Sequence, residues 1–195
     1  MSGLHFELKP FSTKTETGRE GTVGRFGEVT VSYPRKGWSD DASTLIELQL
    51  RGERLPPATY TSVGTNRPTL KEFQFVLDGH PVELHFNRRG LRNKDRAMKI
   101  ACRGRSYEYI VVGAKKGSIL RRTDPKITMV RAKNTSGKGI SSFYAVAGEA
   151  DEIDLALAIV FEEIDTFDLT KFGATAAALN KIYNLPRANE PTATD

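Results

Sequence analysis

Up to about residue 146 the chain is a succession of short runs in which apolar and polar residues alternate, each closed off by Gly, Pro, Asn or Asp. A period of two with frequent turn residues is the pattern of half-buried strands. It predicts strands at 4–11, 27–33, 44–51, 58–63, 71–77, 82–87, 97–102, 106–112, 118–122, 126–132 and 141–146. The clearest pair is Phe-Gln-Phe-Val-Leu-Asp-Gly-His-Pro-Val-Glu-Leu-His-Phe, in which Asp78-Gly79 supplies the turn chemistry between two alternating runs. Phe73, Phe75 and Leu77 then share a face with Val82, Leu84 and Phe86. Two further hairpins are expected to turn through residues 113–117 and 123–125.

After Gly148 the pattern changes. Asp-Glu-Ile-Asp-Leu-Ala-Leu-Ala-Ile-Val-Phe-Glu-Glu-Ile-Asp-Thr-Phe, residues 151–167, opens with acids, is uninterruptedly apolar from Leu155 to Phe161, and closes on acids again. A helix apolar on every side has to be enclosed. Asp151 or Asp154 is placed to cap its first turn, where acids also suit the helix dipole. The apolar run is far short of the ~20 residues needed to cross a bilayer, so no spanning helix is expected. From Asp168 a second helical stretch is predicted, with Leu169, Phe172, Ala176, Leu179, Ile182 and Tyr183 at three- and four-residue spacing until Pro186. Residues 1–185 are thus expected to form one domain and 186–195 a disordered tail.

Composition narrows the class. With 195 residues, 38% of them hydrophobic and 27% charged, the chain reads as a single globular domain. Cys102 is the only cysteine, which excludes an internal disulfide and reads as a packed thiol. Residues 1–15 lack the apolar centre of a signal peptide, so a cytoplasmic location is expected.

Net charge is +5, but residues 1–150 carry 26 Lys and Arg against 15 Asp and Glu, whereas 151–195 carry 3 against 9. The excess peaks over residues 88–138, with 16 basic and 3 acidic side chains. Arg88, Arg89, Arg92, Lys94, Arg96, Lys115, Lys116, Arg121 and Arg122 are the anion-binding candidates there, with Arg103, Arg105, Tyr107 and Tyr109 among them. Arg forks and Lys point charges on loops suit phosphate groups; the same charges also suit a solvated rim that keeps a barrel soluble. For RNA, the tyrosines lack the glycine-aromatic surroundings of an RNP motif.

Other motifs carry less. Gly-Thr-Val-Gly-Arg-Phe-Gly at 21–27 precedes a strand, without the helix N-terminus that holds a phosphate, and reads as a loop or bulged hairpin. Ser-Gly-Lys-Gly at 136–139 fails as a P-loop, because Ala132 stands where its first glycine belongs. His80, Glu83 and His85 lie within six residues, but on an extended strand His80 falls back into the turn, so no metal site is expected. No catalytic set or cofactor motif is identified.

A strand-rich body followed by one all-apolar helix has a natural solution, a barrel filled by that helix. In the order of residues 107–112, 118–122, 127–132 and 151–167, over a span of 4–167, the chain resembles the tubby-like family, which includes the tubby C-terminal domain, LURP-one proteins and phospholipid scramblases. The resemblance implies an antiparallel barrel of about 11–12 strands enclosing a C-terminal hydrophobic helix. It also implies a membrane-lipid or phosphoinositide ligand held by surface Lys and Arg, or a scaffold without chemistry. Here the chain continues beyond the helix, which in that family usually closes it. The function expected is a non-enzymatic binding module for a phosphorylated lipid head group or an anionic membrane surface. Its alternatives are a nucleic-acid-associated protein or a scaffold, with no oligomeric state specified.

Overall fold

The computed structural model describes residues 3–35, 44–86, 97–113, 117–133 and 139–170. Thirteen antiparallel strands follow one another as a meander: β1 (His5–Ser12), β2 (Glu16–Thr22), β3 (Glu28–Pro34), β4 (Thr44–Gly52), β5 (Ala58–Gly64), β6 (Gln74–Leu77), β7 (His80–Pro81), β8 (Glu83–His85), β9 (Met98–Cys102), β10 (Arg105–Gly113), β11 (Gly117–Arg121), β12 (Lys126–Lys133) and β13 (Ile140–Ala147). The helix α1 (Glu152–Glu163) follows, and then a short 3-10 turn, Phe167–Leu169.

The sheet order β7-β6-β5-β4-β3-β2-β1-β13-β12-β11-β10-β9-β8 brings its two ends together, because β7 and β8 are separated by Val82 alone. One extended segment therefore pairs with β6 through residues 80–81 and with β9 through 83–85, and the barrel is almost closed. β1 bridges the other seam in the same way, with Leu8 opposite Ser142 of β13 and Lys9 opposite Glu20 of β2. Closure leaves few unpaired strand edges.

Alternation sets the inner face. Leu8, Val31, Leu48, Tyr60, Leu77, Met98, Tyr109, Leu120, Met129 and Tyr144 point inward and are buried. A barrel of this many strands is too wide for its own side chains to fill, and α1 occupies the lumen. Every residue from Leu155 to Phe161 is fully buried, and the Phe161 ring meets Phe75 edge-on at 5.7 Å and Tyr109 at 5.4 Å. Asp151 is the N-cap, and Asp151 and Asp154 form a reciprocal capping box.

The Asp78-Gly79 hairpin forms with both residues at positive φ, 51° and 74°. Two elements depart from the sequence pattern. The strand predicted from residue 71 begins at Gln74, and β2 arises from Glu-Thr-Gly-Arg-Glu-Gly-Thr, which has no apolar alternation. Its inward positions are Thr17, Arg19 and Gly21, opposite Tyr33, Val31 and Val29 of β3. A Cβ on Gly21 would come within 2.5 Å of the Glu7 carbonyl oxygen, and Arg19 is a partner for the helix. The second helical stretch and the tail lie outside the described residues, apart from 168–170.

Candidate anion-binding mouth

Because the barrel is a meander, its connections alternate between two mouths, and α1 runs from one to the other. At the mouth where the helix starts, the buried carboxylate of Asp154 accepts from both sides of the Arg122 guanidinium at 3.1 Å and from the Tyr107 hydroxyl at 3.0 Å. Arg105 pairs with Asp151. That Asp151 carboxyl feels burial, which would raise its pKa, but the Asp154 amide and the Arg105 guanidinium outweigh it and hold the group below its ordinary value.

The helix ends in a second buried network at the opposite mouth. Glu163 pairs with Arg19, whose guanidinium also donates to the Ile140 carbonyl. Glu162 accepts from Arg131 Nε at 2.7 Å and from the Ser118 hydroxyl at 3.1 Å. Acids at a helix C-terminus oppose the dipole. Arg67 and Arg131 counter this directly: Arg67 donates to the carbonyls of Glu162 and Glu163 at 3.4 and 3.0 Å, and Arg131 to the carbonyl of Glu162. Around this network burial, and then the nearby glutamates, push the Tyr144 hydroxyl well above its usual pKa. Tyr109 is raised for the same reasons, burial first and then Glu162.

Of the nine candidate anion ligands, Arg121 and Arg122 are described. Both stand at the mouth where the helix starts, and both are paired, Arg121 with the exposed-face Glu108 and Arg122 with Asp154. Arg103 is paired there too, with Asp78. Arg88, Arg89, Arg92, Lys94, Arg96, Lys115 and Lys116 lie outside the described residues. The strand ends that bracket them, His85 and Met98, Gly113 and Gly117, all belong to the other mouth, where the helix ends. Arg121 and Arg122 thus stand at the mouth opposite to those four strand ends.

The sequence segments that join the strands differ in charge between the two sides. The six that join strand ends on the side where α1 ends carry thirteen Lys and Arg against four Asp and Glu, a net +9, and of these Lys14, Arg35, Arg67, Lys71 and Glu72 are among the described residues. The five at the mouth where α1 begins carry four against three, a net +1. A groove of about 1290 Å³ lies at that near-neutral mouth, and Arg25 and Lys126 in its wall are matched by Asp124 and Glu149. It has no charge preference for an anion.

Among the described residues no cluster of His, Cys, Asp and Glu could hold a metal ion; His85 and Glu83 face each other at 3.6 Å on the exposed surface. Cys102 is buried, which raises its thiol pKa in spite of Arg103 and Arg105 nearby. No helix of the described residues is long and apolar enough to cross a membrane. The functional groups that sequence reasoning missed are Arg19, Arg67 and Arg131 with Glu162 and Glu163; the acids were visible as a run, but their partners lie as far as 144 residues away. No family model, no curated protein and no solved structure matches this chain.

Proposed function

We propose that this protein is a non-enzymatic binding module whose basic mouth holds an anionic ligand, a phosphorylated lipid head group or an anionic membrane surface. The observation that carries this reading is the uneven charge of the sequence segments that join the strands, +9 for those on the side where α1 ends against +1 for those on the side where it begins. A field concentrated at one end orients the protein as it approaches an anionic partner. Arg88, Arg89, Arg92, Lys94, Arg96, Lys115 and Lys116 are the ligands proposed, with Arg121 and Arg122 reassigned to structural pairing. The helix-filled barrel supports the reading further, since it is the architecture that the tubby-like resemblance implies.

The test is co-sedimentation with phosphatidylcholine vesicles containing or lacking phosphatidylserine, for the wild type and for Arg88→Glu/Arg89→Glu. Each basic residue near an anionic surface is worth about 1 kcal/mol, so two reversals cost at least ~2 kcal/mol, more than tenfold in affinity. The melting temperature stays within a degree or so, because exposed charges contribute little to folding. Equal binding by both proteins, or by neither, removes the proposal. A gel shift with single- and double-stranded nucleic acid run beside it identifies the competing partner.

A further inference from the structure

We infer that the basic mouth seats on a lipid bilayer with its apolar rim inserted, so that the barrel axis stands across the membrane plane; this rests on the reading of that mouth as an anion-binding face. The large apolar side chains exposed among the described residues are Leu45, Val112, Ile140, Phe143 and Phe167. Single exposed apolar residues are ordinary on any protein surface, so exposure alone decides nothing. Their position does. Leu45 is the second residue of β4, Val112 the last but one of β10 and Ile140 the first of β13, and all three of these strand ends belong to the mouth where α1 ends. Phe167 follows the helix out of that same mouth, and Phe143 lies three residues down β13, on its outer face. None is at the other mouth.

Their distribution around the ring selects the shape of the partner. β10 and β13 are three strands apart and β13 and β4 four, so Val112, Ile140 and Leu45 mark three well-separated points of one rim. A groove-bound chain would require the apolar residues on one side, whereas three points around a circle define a plane. Leu45 and Ile140 are 64% and 52% exposed, Phe167 52%, so each has apolar surface left to bury. Interleaved with them at that mouth are the exposed side chains of Lys14, Arg35, Lys71 and Lys133; among the described residues none of these four has a carboxylate partner. Apolar side chains flanked by Lys and Arg are what an interfacial protein offers to anionic lipid: the cations meet head groups while the apolar groups enter the acyl boundary.

The experiment uses full-length protein and vesicles of phosphatidylcholine and phosphatidylserine. In a Trp38→Phe background, which removes the only tryptophan, Ile140→Trp and Phe167→Trp report the rim and Thr123→Trp the opposite mouth. Expected are a blue shift and quenching by bromine-labelled acyl chains at positions 140 and 167, with neither at 123. The variant Leu45→Ser/Ile140→Ser/Phe167→Ser should keep the wild-type melting curve and lose roughly tenfold or more in vesicle affinity, a loss that persists in high salt where charge is screened. Salt-sensitive vesicle binding that the triple variant retains, with unquenched probes, overturns insertion and leaves the anion-binding reading standing. Absence of binding to any vesicle overturns both. A blue shift at 140 and 167 that appears with rising protein concentration and no lipid assigns the rim to a second copy of the chain, and one that appears with RNA alone assigns it to nucleic acid; either result overturns the bilayer.

Discussion

Arg19 sits in a strand with no apolar alternation, yet it is buried against Glu163 with almost no solvent access to either side chain. Removing one member of such a pair leaves the other buried without its main partner, which typically costs about 3–5 kcal/mol and here less where Arg131, 3.5 Å from Glu163, takes over part of the pairing, whereas replacing both with apolar groups is often near neutral. Arg19→Met and Glu163→Leu should therefore each lower stability strongly in urea titrations, and the double variant should be more stable than the sum of the two predicts. Additive losses would show that the pair is uncoupled. Asp151 gives a second test at this scale. Its carboxyl is held below its ordinary value of 3.8 in the folded chain. A group depressed on folding stabilises above its unfolded pKa and loses that contribution as pH falls through the folded one. Stability should thus decline below about pH 4, and Asp151→Asn, which keeps the cap, should flatten that decline. Asp151→Ala should cost about 1 kcal/mol near neutrality through loss of the cap. An acid limb unchanged in the asparagine variant would contradict the assignment.

At the scale of elements, α1 shows how far composition reaches. Leu155 to Phe161 had to be enclosed because no face of that run is polar, and with a strand-rich chain before it a closed sheet is what supplies walls on all sides. The cap was legible too, since Asp151 and Asp154 stand at the spacing of a reciprocal box. We expect Leu157→Asp to abolish soluble expression, because an unpaired carboxylate there would be buried in the middle of the helix's apolar run, Leu155 to Phe161, and Leu157→Ala to cost about 2–5 kcal/mol. Normal yield and melting of the aspartate variant would exclude an enclosed helix. β2 shows the opposite limit. A strand whose inner face is threonine, arginine and glycine emits no period-two signal, because what selects those residues is the close approach of β1 at Gly21 and a helix carboxylate 144 residues away. Strands whose inner face is mainly apolar were visible, including β12, which carries Arg131 beside Ile127 and Met129; β2, with no apolar inner residue, was not. The candidate site was legible as a charge count and not as a grouping, since Arg121 and Arg122 are adjacent in sequence to the basic loops but a whole strand length from that mouth.

For the whole molecule, the meander converts sequence alternation into axial polarity. Every second connection joins strand ends on the same side, and the sequence segments that do so carry a net +9 on one side against +1 on the other, which is the basis for the basic ring proposed above. This makes a prediction about position that total charge does not. Lys115→Glu/Lys116→Glu and Arg103→Glu/Arg121→Glu change the net charge equally, by four units each. If the partner is anionic and meets the ring, only the first pair lies within reach of it; screening over about 8 Å at physiological salt removes the contribution of charges a barrel length away. The first variant should lose more than tenfold in affinity for phosphatidylserine vesicles and show a shallower dependence on salt, the second should bind as wild type, and neither should melt differently by much, since Arg103 and Arg121 form exposed pairs of small worth. Vesicle titrations at two salt concentrations decide it. Equal weakening by the two variants would mean that net charge, and not the ring, attracts the membrane, and the polarity of the barrel would then have no part in binding.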